Sequence, residues 1–329
     1  ASAQDLERYA FSGDDVAVYN LAGEVRLEAG TGPGVVVELV RGGDDARELR
    51  VEHGPIDGRQ TLRVIYPSDR IVYPGMSRGS RTNLRVRSDG TFHGDRDGGE
   101  RVTIAGSGGG LEAYADVRVR VPEGKRIAVH LGAGDVVVTS VNGEVLVDAG
   151  TSSIEATGTR GLLWLDTGSG RVSVRDAEGE VDVDTGSGSV EVYGIRGRRL
   201  RVDTGSGRVR GGEVAVDDLD VDTGSGSIDL DGVRAGDVRL DTGSGSVRLA
   251  LLDDVTSLDI DTGSGGVTLS VPASLSARLE LDTGSGGIDV DLPLQVLRSA
   301  RDYLLAQAGQ GTGSIRVETG SGGIRVRRN

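Results

Sequence analysis

Seven copies of Asp-Thr-Gly-Ser-Gly recur in this 329-residue chain, beginning at Asp166, Asp184, Asp203, Asp222, Asp241, Asp261 and Asp282. The same local order holds the catalytic acid of aspartic proteases. That chemistry needs two carboxylates sharing one proton in a common cleft. Here the acids follow one another in single file, 18 to 21 residues apart, with too little apolar sequence around each to build two lobes. A row of acids can also take a hard cation such as Ca²⁺. Calcium-binding β-rolls, however, place the acid after the glycines, and this motif places it before. The residue types therefore predict a structural corner, with Asp and Ser bonding nearby backbone N–H groups and Gly supplying positive φ. A Ca²⁺ ladder along the acids is the alternative.

Degenerate copies extend the series to Asp148 (Asp-Ala-Gly-Thr-Ser) and Glu318 (Glu-Thr-Gly-Ser-Gly). Other chemistry is sparse. His53, His93 and His130 stand in no metal-ligand spacing, and read as surface or turn residues. The run Gly106-Ser107-Gly108-Gly109-Gly110 lacks the Lys of a phosphate-binding loop. Trp164, in line with Leu146 before it and Asp182 after it, marks a candidate contact patch, Leu146 with Trp164.

A fixed period near 19 residues implies coils that stack, because one such unit cannot bury its own apolar face. Ser189 to Gly207 shows two short alternating segments bounded by glycine, so each coil carries two β-strands. Val190, Val192, Leu200 and Val202 face inward, and Ile228/Leu230, Val247/Leu249, Val267/Leu269 and Ile288/Val290 repeat the pattern. The outward positions alternate in sign from coil to coil: Asp182, Arg201, Asp220, Arg239, Asp259 in one column and Glu191, Arg210, Asp229, Arg248 in another. Stacked in parallel, each charge lies between two of opposite sign, and a slip of one coil sets like against like.

Composition narrows the function classes. The formal charge of −14 disfavours nucleic acid as a partner, since phosphates are bound by clustered Lys and Arg. No run approaches the ~18 apolar residues of a membrane-spanning helix. The absence of Cys excludes a disulfide scaffold. The opening Ala-Ser-Ala-Gln-Asp resembles the tail of a secretory signal, which points to a secreted form with the signal removed.

Three segments follow: first coils over 1–40, an irregular insertion or cap with antiparallel strands over 41–120, and the regular solenoid over 121–329. Leu294, Leu297, Arg301, Leu304 and Leu305 make a stripe at helical spacing, which predicts a short helix at about 294–307. The stretch Gly322 to Asn329 reads as a coil strand followed by three polar residues, and looks uncovered in sequence. Together with Asp14 and Asp15 near the other end, Arg325, Arg327 and Arg328 make a candidate head-to-tail assembly joint.

The Asp-Thr-Gly-Ser-Gly coils, the lead-in Val121-Pro122-Glu123-Gly124, and Val18-Tyr19-Asn20-Leu21-Ala22-Gly23-Glu24-Val25 resemble bacterial β-solenoids of unknown function named as putative adhesins. The resemblance covers most of 12–38 and 120–329, and leaves 41–110 unexplained. It implies an all-β parallel solenoid in an extracellular or cell-envelope protein, and names no site residues. The expectation is a non-enzymatic structural protein that assembles end to end into a filament, with itself as partner. The alternative is a monomeric adhesin or envelope-stress binding module facing cell-surface or matrix components.

Overall fold

The structure, a computed structural model, describes residues 6–92 and 98–329, and divides into two compact units, Ala1–Gly170 and Arg171–Asn329. The fold is all-β, with parallel strand coils and, among the described residues, one short 3-10 turn at Ala46–Glu48.

Unit 1 contains β1 (Glu7–Phe11), β2 (Asp15–Ala22), β3 (Val25–Ala29), β4 (Val35–Gly42), β5 (Arg50–Ile56), β6 (Arg59–Ile65), β7 (Arg70–Val72), β8 (Arg81–Val86), β9 (Glu100–Ala105), β10 (Tyr114–Val121), β11 (Lys125–Thr139), β12 (Asn142–Thr157) and β13 (Arg160–Ser169). The long strands β11 and β12 each bend through a corner and serve both walls of the coil. Val129 of β11 is in register with Val18 and Val147, and Val138 with Leu27 and Ala156. These side chains are fully buried between the walls, and burying one aliphatic of this size is worth about 1.5–3 kcal/mol. Outside β2 lies β6 in parallel, then β5 antiparallel. Outside β3 lies β10 in parallel, followed by β4 and β1, both antiparallel. Buried Asn20 pins this end, donating to Ala22 O (3.0 Å) and Ala115 O (2.7 Å) and accepting from the Tyr66 hydroxyl (2.8 Å).

The segment expected as an insertion therefore has two parts. Strands β5, β6 and β10 extend the coil walls, whereas β7, β9 and β8 form a separate sheet. That sheet covers the coil corner: a Cβ at Gly132 would meet Ile104 Cδ1 at 2.6 Å.

Unit 2 contains β14 (Val172–Arg175), β15 (Glu178–Thr185), β16 (Val190–Tyr193), β17 (Arg196–Thr204), β18 (Val209–Thr223), β19 (Ile228–Thr242), β20 (Val247–Leu251), β21 (Ser257–Thr262), β22 (Val267–Val271), β23 (Ala277–Thr283), β24 (Ile288–Asp291), β25 (Gln295–Ser299), β26 (Tyr303–Ala308), β27 (Gly313–Thr319) and β28 (Ile324–Arg328). Every expected inward aliphatic from Val190 to Leu269 is at most 2% exposed. The two outward charge columns are in register as read from the sequence.

Two expectations fail at the end of this unit. Residues 294–307 form no helix but a hairpin, β25 with β26, and β26 runs antiparallel along β23. An open strand edge nearby outweighs helical propensity, because pairing satisfies the N–H and C=O groups of both strands. The segment then adopts a period of two, with Ala306 and Ala308 buried against β23. The final strands are not at an edge either. β27 lies between β21 and β23, and β28 between β22 and β24. Spatial order therefore departs from chain order, and the coil carrying Glu318 sits inside the one carrying Asp282.

Candidate functional site

The corner motif is held by its threonine. Thr223 Oγ1 donates to Gly207 O (3.1 Å) and accepts from Gly226 N (3.0 Å). The next rung repeats this, with Thr242 donating to Gly226 O (2.8 Å) and accepting from Gly245 N (3.0 Å). The chain of bonds continues through Thr262 to Thr319 and then Thr283, in spatial order. Each hydroxyl thus closes its own corner and ties it to the coil below. These threonines are buried, where a satisfied hydroxyl is favourable and an orphaned one costly. Thr185, the first rung of the unit, has its hydroxyl buried without such a partner.

The residue types credit Asp, Ser and positive-φ Gly; at the Asp222 corner the geometry corrects all three, whereas Gly170 of the Asp166 copy does have a positive φ. Ser225 is exposed and Asp222 faces outward. Neither Gly224 nor Gly226 has a left-handed φ. Glycine is required by close approach: a Cβ at Gly226 would lie 1.7 Å from Gly207 O, and one at Gly224 2.5 Å from Gly205 O. The missed signal was the Thr itself, present in all seven full copies and in the Glu318 copy.

The acids form a column in register, Asp184, Asp203, Asp222, Asp241, Asp261, Glu318, Asp282, with Glu318 interposed before Asp282. Partial desolvation first, then neighbouring carboxylates, push Asp184, Asp222 and Asp261 above the usual carboxylate range. Basic residues offset the column in places: Arg316 is 2.5 Å from Glu318, and Arg201 is 3.7 Å from Asp203. Among the described residues no three acid, His or Cys side chains converge as metal ligands would. A cation would have to bridge neighbouring rungs.

In unit 1 the column reads Asp166, Asp148, His130, Tyr19. His130 stacks on Tyr19 (centroids 4.3 Å apart, 6° between planes), Phe92 packs edge-on to Tyr19, and His130 Nδ1 is 3.5 Å from Asp148. This histidine is not a bare surface residue. Its place 18 residues before Asp148 was a readable signal. His53 lies against the Tyr9 and Phe11 rings, and His93 is outside the described residues. Leu146 and Trp164 are directly opposite each other, both half-buried.

The expected assembly residues are already engaged within the chain. Asp14 pairs with Lys125, and Asp15 with Arg59 at 2.9 Å. Arg325 is 3.5 Å from Asp289, and Arg327 reaches Ser270 at 3.4 Å. Arg328 stands opposite Val271 on an internal strand.

Parallel strand coils with a repeated glycine-threonine corner define a β-solenoid-like protein. The chain belongs to the Toastrack DUF4097 family, whose model matches residues 112–327. No curated protein matches the sequence. Three crystal structures are similar over nearly the whole chain. A putative lipid binding protein from Parabacteroides distasonis has 13% identity, covers 99% of this chain and 97% of its own, with a TM-score of 0.47. A putative adhesin from Bacteroides fragilis has 8% identity, 99% and 98% coverage, and a TM-score of 0.36. A putative cell adhesion protein from Clostridium sporogenes has 10% identity, 99% and 100% coverage, and a TM-score of 0.25. At such distances their names carry nothing over to this chain. Among the described residues no helix is long and apolar enough to cross a membrane.

Proposed function

We propose that this chain is a non-enzymatic β-scaffold of the cell envelope or cell surface that works by binding. The observation carrying this reading is what the repeated polar side chains do. Threonine hydroxyls link corner to corner, and outward charges alternate between coils, as in Asp229 with Arg248 (3.7 Å) and Arg325 with Asp289 (3.5 Å). Such groups hold register, and in these alternating columns the charges neutralise one another locally, while the corner acids stand one per rung in single file. Filament growth through β28 loses its structural basis, since both edges of that strand are paired. The monomeric binding module, second in the sequence reading, is therefore the better account. Envelope placement rests on the family resemblance alone.

Fractionation of cells expressing the natural gene tests placement, with recovery in the envelope or medium expected. Incubation of the purified chain with isolated envelope polymers tests activity. Retention without release of fragments is expected. Fragment release that disappears on substituting Asp222 and Asp241 would overturn the non-enzymatic reading.

A further inference from the structure

The last coil of unit 2 is closed on one wall only. β23 is flanked by β27 on one side and by the β26–β25 hairpin on the other. β24, in the same coil, pairs with β28 and, among the described residues, with nothing else. Its inward side chains show the consequence. Ile288 and Val290 are half-exposed, whereas their counterparts Ile324 and Val326 are at most 1% exposed.

Backbone parity says which groups face the open side. Ile324 N donates to Gly287 O at 2.9 Å. In a parallel ladder alternate residues turn their N–H and C=O to the same neighbour, so Gly287 and Asp289 address β28. The N–H and C=O of Ile288 and Val290 then face outward. The outward column on this wall ends Asp229, Arg248, Thr268, Arg325, Asp289. An acid closes it, and Asp289 keeps a side chain 75% exposed. Exposed Asp291 lies opposite Arg327 in the same way.

We propose that the open edge of β24 is a docking site for an extended segment of a partner protein with alternating aliphatic and basic residues. Aliphatics at alternate positions would cover Ile288 and Val290 and continue the core. Basic residues between them would face Asp289 and Asp291, extending the charge alternation by one rung. β28, as Ile-Arg-Val-Arg, is the structure's own example of what β24 accepts. Main-chain bonds supply affinity in such strand addition, and the side-chain pattern supplies selectivity. The proposal stands on backbone and register and is independent of envelope placement.

The test is fluorescence anisotropy of the full chain with a labelled peptide, Gly-Gly-Ile-Arg-Val-Arg-Arg-Asn, as probe. Saturable binding that weakens with salt is expected. A peptide reading Ile-Asp-Val-Asp in place of Ile-Arg-Val-Arg should bind at least tenfold more weakly, a comparison that needs no protein variant. Val290→Pro removes an outward N–H without touching the bonds to β28, and should also cost at least tenfold. No saturation at millimolar peptide, equal binding of the acidic peptide, or indifference to Val290→Pro in a folded variant would overturn the proposal. So would a concentration-dependent dimer of the wild type, lost in Val290→Pro, since the edge would then belong to a second copy.

Discussion

In unit 1 the outermost coil is flanked on both walls, by β6 and β5 outside β2 and by β10, β4 and β1 outside β3. In unit 2 the hairpin β25–β26 flanks β23, while β24 has, among the described residues, one partner. Both units stack the same parallel coil, so the contrast isolates the ends from the repeat. Within the repeat, each coil is held by bonds above and below, and a change there is felt twice. At an end, one of those neighbours is missing and the same change is felt once or not at all. Stacked repeats follow this nearest-neighbour logic generally.

Glycine gives the largest test of the contrast. Gly226→Ala would drive a Cβ to 1.7 Å from Gly207 O inside the stack. We expect a loss of about 3–5 kcal/mol, the range of severe core disruption, seen as a large fall in denaturation midpoint. Gly287, on the last coil, has nothing within 4 Å of its Cβ position. Gly287→Ala should change stability by less than about 0.5 kcal/mol. Equal effects would show that the corner relaxes and that close approach is not why glycine is there.

Threonine comes next. Thr223→Val preserves shape but leaves Gly207 O and Gly226 N without their partner. A loss of about 2–4 kcal/mol is expected from two missing hydrogen bonds and their buried groups. Ser225→Ala, two residues on and exposed, should be neutral within about 0.5 kcal/mol. Comparable losses would return the corner to the serine-based turn first expected.

How much of this was legible from residues alone differs between the same two regions. Coil repeat, inward aliphatics and charge register could be read because each is a local periodicity, repeated until chance is excluded. The hairpin at 295–308 could not, because Leu294, Leu297, Leu304 and Leu305 fit helical spacing. Only the open edge of β23, a property of the assembled coil, selects the strand. The inserted final coil is legible in the charges. In chain order the first column ends Asp259, Glu280, Arg316, which breaks alternation. In space it runs Asp259, Arg316, Glu280, which keeps it. The second column agrees, since Arg325 sits between Thr268 and Asp289. The buried threonines escaped notice because Thr looks like turn filler between Asp and Gly, and only depth reveals the hydroxyl as a link.

Charge reversal at the inserted coil sharpens that reading. Arg316→Glu would place an acid between Asp259 and Glu280, beside Glu318. Exposed pairs are weak singly, so a loss of about 0.5–2 kcal/mol is expected across the several contacts. Arg328→Glu, in the exposed tail of β28, should cost less. If the two are indistinguishable in thermal melts, alternation does not guide insertion.

The smallest effect concerns the acid column, and its sign is the informative part. Asp222 is pushed above the usual carboxylate range by partial desolvation, then by Asp241 and Asp203. A raised folded-state value means the native chain holds that proton more tightly than the unfolded chain does. Stability from this group therefore increases as pH falls from 7 through its folded value toward the ordinary carboxylate value near ~4. Asp184 and Asp261 act in the same direction. Asp14, whose carboxyl is lowered by Lys125, acts in the opposite one. Asp222→Asn removes the repulsion outright, so its melting temperature at pH 7 should rise slightly, reflecting a stability gain of about 0.2–0.5 kcal/mol for so exposed a charge. The gain should shrink as the pH is lowered, because protonation of Asp222 in the wild type relieves the same repulsion. A melting temperature that falls at pH 7 would mean the acid is being held by something, a bridging cation or a turn bond. Repeating the melt with chelator and with millimolar Ca²⁺ separates those two, since only a cation-bridged column responds to both.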